Sequence, residues 1–196
     1  MPYNQLYDVL AKATEVAISV NHVREHCSRL TSEEVIEFVP SDFDEGVILG
    51  AIVRGGGLAR PYATDPDPMY CNVYYGRGLN ECWKRFVCCK ELMHLFDKPG
   101  ELTDDERKFR RHITELLSNP PHNEETSPQV HSESRAYWRA VAALCPLPLR
   151  GVFLDRYARG AMTSWDIANK FRVPEVLVPT IMSDVFPEYV AAVMDG

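Results

Sequence analysis

The sequence predicts an α+β fold in which a small antiparallel sheet leads into a buried helix and further helices complete the core. Three observations carry this expectation. Apolar residues recur at helical spacing through residues 2–30, β-rich runs occupy 45–53 and 69–75, and residues 82–96 are apolar on every face of a helical wheel.

Taken in order, the first element is an N-terminal packing helix within residues 1–30. Its stripe is Leu6, Val9, Leu10, Ala13, Val16, Ala17, Val20, Val23 and Cys27. The two β-rich runs follow, separated by Gly55-Gly56-Gly57 and a loop rich in proline and aspartate. That triple glycine lacks the Lys-Ser/Thr that completes a phosphate loop. After the 82–96 helix, Thr103 to Glu106 form a capping box for a helix to Ser118, with Phe109, Ile113, Leu116 and Leu117 facing inward. Pro120 stops it, and 119–127 is a polar loop that would border a cleft. A helix over 128–146 has Thr126 or Ser127 as cap, Pro128 in its first turn and Pro146 at its end. Residues 147–196 read as a C-terminal helical extension, with helices over 151–159 and 164–171 and a last one through Ser183, kinked at Pro179. A chain of 196 residues has room for one well-buried domain, so 1–196 is read as a single unit.

Chemistry concentrates on the 82–96 helix, where Lys90-Glu91-Leu92-Met93-His94 is one substitution away from H-E-x-x-H. That motif places two imidazoles on one helix face toward one zinc, with the intervening Glu activating a bound water. Lys90 stands where the first imidazole belongs, and a protonated ammonium has no lone pair to offer a cation. Trp83, Val87, Lys90 and His94 share one stripe with Glu91 beside it, so titratable groups sit on an otherwise apolar element. On the 128–146 helix, Glu133, Ala136, Tyr137, Ala140 and Leu144 share a stripe whose small residues permit close approach, a geometry that would bring Glu133 to His94. His131 falls on a different face.

The two helices, in this order, resemble the ImmA/IrrE family of metallopeptidase-like proteins. The family pattern is R-F-x-x-x-H-E-x-x-H followed by E-x-x-A-x-x-x-A-x-x-L-x-x-P. This chain offers Arg85-Phe86 before Lys90-Glu91-x-x-His94, then Glu133, Ala136, Ala140, Ala143-Leu144 and Pro146. The likeness covers roughly residues 47–180. It implies a zincin-like helical core, Glu91 as general base, His94 and Glu133 as two of three zinc ligands, and cleavage of a cytoplasmic regulatory protein. Departures are Lys90 at the first ligand, and Arg135 and Tyr137 where the family often has an acidic residue and Asn.

Lys90 and Glu91 are therefore the candidate catalytic residues, and His94 and Glu133 the candidate metal ligands. The favoured reading makes Lys90 an internal counter-charge between Glu91 and Glu133, with the site metal-free, hydrolysis weakened or lost, and the scaffold binding a protein or peptide partner. One alternative is an active endopeptidase that holds zinc through His94, Glu133 and water. Another uses Lys90 as a nucleophile or base, which its neighbouring carboxylates oppose.

A formal charge of −7 argues against a general nucleic-acid binder. Local basic clusters at Arg107, Lys108, Arg110 and Arg111, and at Arg150, Arg156 and Arg159, read as solvated helix faces. Residues 163–174 also read like the first half of a helix-turn-helix, but residues 175–183 carry no Arg, Lys, Asn or Gln to reach base edges. No signal peptide or membrane span is recognisable, so the expectation is a cytoplasmic protein that avoids membranes. Its six cysteines lack C-x-x-C spacing and read as reduced, buried hydrophobes.

Overall fold

The computed structural model describes residues 2–31, 35–44, 49–56, 69–97 and 128–195. The chain is α+β. Its elements are α1 (Pro2–Leu10), α2 (Val20–Thr31), β1 (Val35–Ser41), β2 (Gly50–Gly56), β3 (Met69–Gly76), α3 (Glu81–Met93) with a 3-10 turn (His94–Phe96), and α4 (Pro128–Leu144). The helices that follow are α5 (Leu147–Gly151), α6 (Leu154–Ala158), α7 (Ser164–Phe171), a 3-10 turn (Glu175–Leu177), α8 (Val178–Ile181) and α9 (Phe186–Asp195).

The expected single helix over 2–30 is two helices joined by residues 11–19. Thr14, Val16 and Ile18 are β-branched and give that stretch low helix propensity. The apolar stripe runs through the break because both helices face the same core, where Leu6, Leu10, Ile18, Val23 and Cys27 are all buried. The carbonyl of Ile18, left outside a helix, accepts a 2.6 Å hydrogen bond from Arg85.

The sheet is mixed, in the order β1-β3-β2. Antiparallel pairing holds for β2 and β3, with Ile52 opposite Val73, whereas β1 runs parallel to β3, with Ile36 opposite Cys71. Pro40, which cannot donate to a ladder, lies in β1, a strand bonded on one side only among the described residues. Gly55 and Gly56 extend β2 instead of ending it, while Gly57 and the loop after it lie outside the described residues, as do 45–48. The helix expected over 103–118, the loop 119–127 and the basic cluster from Arg107 to Arg111 also lie outside them.

Gly50 sets how closely β2 approaches α3. A Cβ there would collide with Val87 Cγ1 and lie 3.0 Å from the Tyr74 carbonyl oxygen and 3.2 Å from Glu91 Cγ. Gly50→Ala is therefore expected to lower stability by about 1–3 kcal/mol through overpacking. Gly55→Ala meets nothing within 4 Å and serves as the near-neutral control. Equal denaturation midpoints for the two variants would contradict this packing.

In the C-terminal part, the helix expected over 151–159 is replaced by α5 and α6, which break at Gly151 to Phe153. Pro179 kinks nothing. It sits in the first turn of α8, where its missing N–H has no intrahelical partner to lose. Helix α9 has no counterpart in the sequence reading and packs on α4, with Tyr189 against Trp138 at 4.4 Å. Arg150 is buried and not part of a solvated face, for its guanidinium donates to the carbonyls of Ile181 and Ser183 and closes the end of α8. Arg156 and Arg159 are exposed. All six cysteines are free thiols, five of them buried. No single described helix is long and apolar enough to cross a membrane, and the apolar pair Glu175–Ile181 and Phe186–Asp195 is bent by 89°.

Candidate functional site

Helix α3 begins at Asn80, whose side chain accepts from the Trp83 amide at 3.0 Å, and Glu81 in its first turn suits the positive end of the helix dipole. From Phe86 on it is surrounded. Strands β2 and β3, α2 and α4 pack against it, and every residue from Arg85 to Leu95 is buried. Helix α4 approaches through Ala136 and Ala140, closely enough that Cys89 Sγ lies 3.9 Å from the Ala140 carbonyl oxygen. Burial and contact with backbone direct Cys89 away from the Lys90 side of the helix, and burial also pushes its thiol far up.

Lys90 and Glu91 are 2% and 3% exposed, so the apolar character of the helix carries its charged residues into the interior. Lys90 Nζ lies 2.8 Å from Glu91 Oε1 and 2.9 Å from Glu133 Oε2. Glu133, 22% exposed, turns its other oxygen to His94 Nε2 at 3.2 Å. On the far side of the imidazole, Nδ1 meets Asp97 Oδ2 at 2.7 Å. All four residues singled out in the sequence thus come together.

Asp97 is the group that the sequence reading missed. Its side chain is fully buried, accepts from Ser132 at 2.6 Å, and pairs with Arg135 at 3.4 Å and Arg139 at 3.6 Å. It lies one residue past the 3-10 turn with extended backbone, so helical spacing on α3 gives no signal for it. Arg135 is thus one of the cations that face the buried Asp97 carboxylate. His131 is half-buried. Arg54 on β2 adds a link by donating to the His94 carbonyl at 2.8 Å.

The result is a string of alternating charge: Glu91, Lys90, Glu133, His94, Asp97, then Arg135 and Arg139. Burial disfavours the imidazolium of His94, but the hydrogen bonds it donates to Asp97 and Glu133 outweigh it and push its pKa up to about 9, against a smaller opposing effect of Lys90. Burial likewise opposes ionisation of Glu133, yet Lys90 and His94 hold its carboxyl well below the usual range. For Asp97 the same opposition from burial is overcome by His94, Ser132 and Arg135. At neutral pH both ring nitrogens of His94 carry protons directed at carboxylates.

This donor set does not fit a catalytic zinc centre, which takes three protein ligands with free lone pairs and a water. Lys90 places an ammonium between the two glutamates, and the His94 nitrogen that would ligate donates instead to Glu133. Among the described residues no group of three His, Cys, Asp or Glu is arranged to hold a metal. Ser132, His94 and Asp97 do not form a nucleophilic relay. Ser132 Oγ lies 3.4 Å from Nδ1, the same nitrogen that Asp97 occupies, whereas a Ser-His-acid triad needs its two partners on opposite ring nitrogens.

The chain finds no match among protein-family models, curated proteins or solved structures.

Proposed function

We propose that this chain is an ImmA/IrrE-like, zincin-type scaffold in which Lys90 takes the place and the charge of the catalytic metal, so that peptide hydrolysis is lost or weak. The scaffold then serves to bind a protein or peptide, in keeping with the regulatory partner that the resemblance implies. The observation that carries this reading is Lys90 Nζ at ion-pair distance from both Glu91 and Glu133, the two carboxylates with assigned roles in the resemblance. An ammonium there balances charge that zinc otherwise balances, and a zinc ion beside it would be repelled. Strand β2 borders α3 at Gly50 and the following 3-10 turn at Arg54, and among the described residues it is bonded on one side only, an edge to which an extended peptide could pair.

A helix-turn-helix role receives no support. The capping box of Thr163 and Asp166 opens α7, but the following segment is a 3-10 turn and a single turn of helix with no basic side chain. Random duplex at low salt is accordingly expected to leave the protein unshifted.

The decisive assay for activity is hydrolysis of a mixed peptide library with and without added zinc. Wild-type protein is expected to cleave no faster than Glu91→Gln under either condition. Zinc-dependent cleavage that disappears in Glu91→Gln would restore the metallopeptidase reading.

A further inference from the structure

The pair of imidazoles at i and i+4 that Lys90 denies to α3 is present on α2. His22 and His26 are four residues apart, hence one above the other on one helix stripe. Val23 and Cys27 take the buried side of α2, while His22 is exposed and His26 half-buried. The two ring centroids are 4.6 Å apart with 45° between the planes.

An imidazole nitrogen binds a first-row divalent ion at about 2.0–2.1 Å, so two nitrogens that share one ion lie at most about 4 Å apart. With centroids 4.6 Å apart and the planes tilted at 45°, the two side chains leave the same stripe of α2 close enough for one ion to bridge a nitrogen of each. The proton competes weakly at one of them. Partial burial first, then the charges of His22 and Arg29, lower the pKa of His26 against a smaller raising effect of Glu25. Glu25 also brings a carboxylate next to the pair, whereas Arg29 opposes a cation.

We propose that His22 and His26 form a two-imidazole chelate for a borderline divalent transition ion of the copper, nickel and zinc class, with the remaining positions open to water or to a ligand from another molecule. Imidazole donors select these ions over calcium and magnesium, and among them copper binds most tightly. The site lies on α2 and does not depend on the reading of Lys90.

The test is calorimetric titration of untagged, full-length protein with Ni(II), together with electron paramagnetic resonance of the Cu(II) complex. One equivalent is expected, with two nitrogen donors on copper. His22→Gln and His26→Gln should each weaken binding at least tenfold and leave one nitrogen, with the helical circular dichroism unchanged; His131→Gln should bind as the wild type does. Undiminished binding in either α2 variant would overturn the chelate, and so would a loss on substituting His131.

Discussion

Replacing Lys90 with Met is expected to cost about 3–5 kcal/mol of unfolding free energy at neutral pH, the usual penalty for removing one member of a buried ion pair. Met matches the length of the Lys side chain and keeps its packing, so the lost quantity is charge. Glu91 and Glu133 would then face each other with no cation between them, in an interior where Glu91 is 3% exposed. The effect should be conditional. Glu133→Gln in the Lys90→Met background removes one of the two stranded carboxylates, so the double variant should recover part of the loss, with non-additivity of at least about 1 kcal/mol. Urea unfolding of the four proteins in the cycle measures this. Additive effects would mean that Lys90 and Glu133 are not partners.

The second large effect is on pH dependence, and its direction follows from His94. The folded protein holds the proton on this imidazole up to about pH 9, above the ordinary value of 6.5. Its contribution is therefore fully present below pH 6.5 and is lost as the pH rises through about 9. The corresponding stability is about 3 kcal/mol at 1.36 kcal/mol per unit. Glu133 and Asp97 act in the opposite sense, because their folded values are depressed from 4.5 and 3.8. Their contribution is present above those ordinary values and disappears as the pH falls through the folded ones. The cluster as a whole is thus most stabilising between about pH 4.5 and 6.5. Unfolding free energies from pH 6 to 10 should decline in the wild type and decline less in His94→Gln. A decline equally steep in His94→Gln would place its cause elsewhere.

Local pattern made some of this fold legible and long-range pairing hid the rest. Helix α3 was readable because residues 82–96 are apolar all round, which left burial as the only stable placement and carried Lys90 and Glu91 inside with it. Helix α4 was readable from Pro128, Pro146 and the Glu133, Ala136, Ala140 stripe, and the same stripe led to the contact of Glu133 with His94. Strand β1 was not, because its partner is β3, from which β2 separates it in sequence, and parallel register leaves no turn signal between the two strands. The break between α1 and α2 was masked by continuous periodicity, since both helices face one core. Arg150 misled for a related reason. A basic residue reads as solvent-facing unless its tertiary carbonyl partners, here Ile181 and Ser183, are known. Asp97 escaped because it lies one residue past the 3-10 turn, outside the helical wheel on which the motif was read.

The claim that Lys90 replaces the metal is tested most directly by zinc content after soaking, measured by mass spectrometry on protein desalted from excess zinc. The comparison is best made in a His22→Gln, His26→Gln background, so that no α2 imidazole contributes. With Lys90 in place the protein should retain no zinc. With Lys90→His it should retain one equivalent, as Glu133 turns to the metal from its cationic partners and His94 Nε2 from the Glu133 carboxylate, while Asp97 keeps Nδ1. One equivalent of zinc retained with Lys90 in place, and lost on Glu133→Gln, would contradict the account.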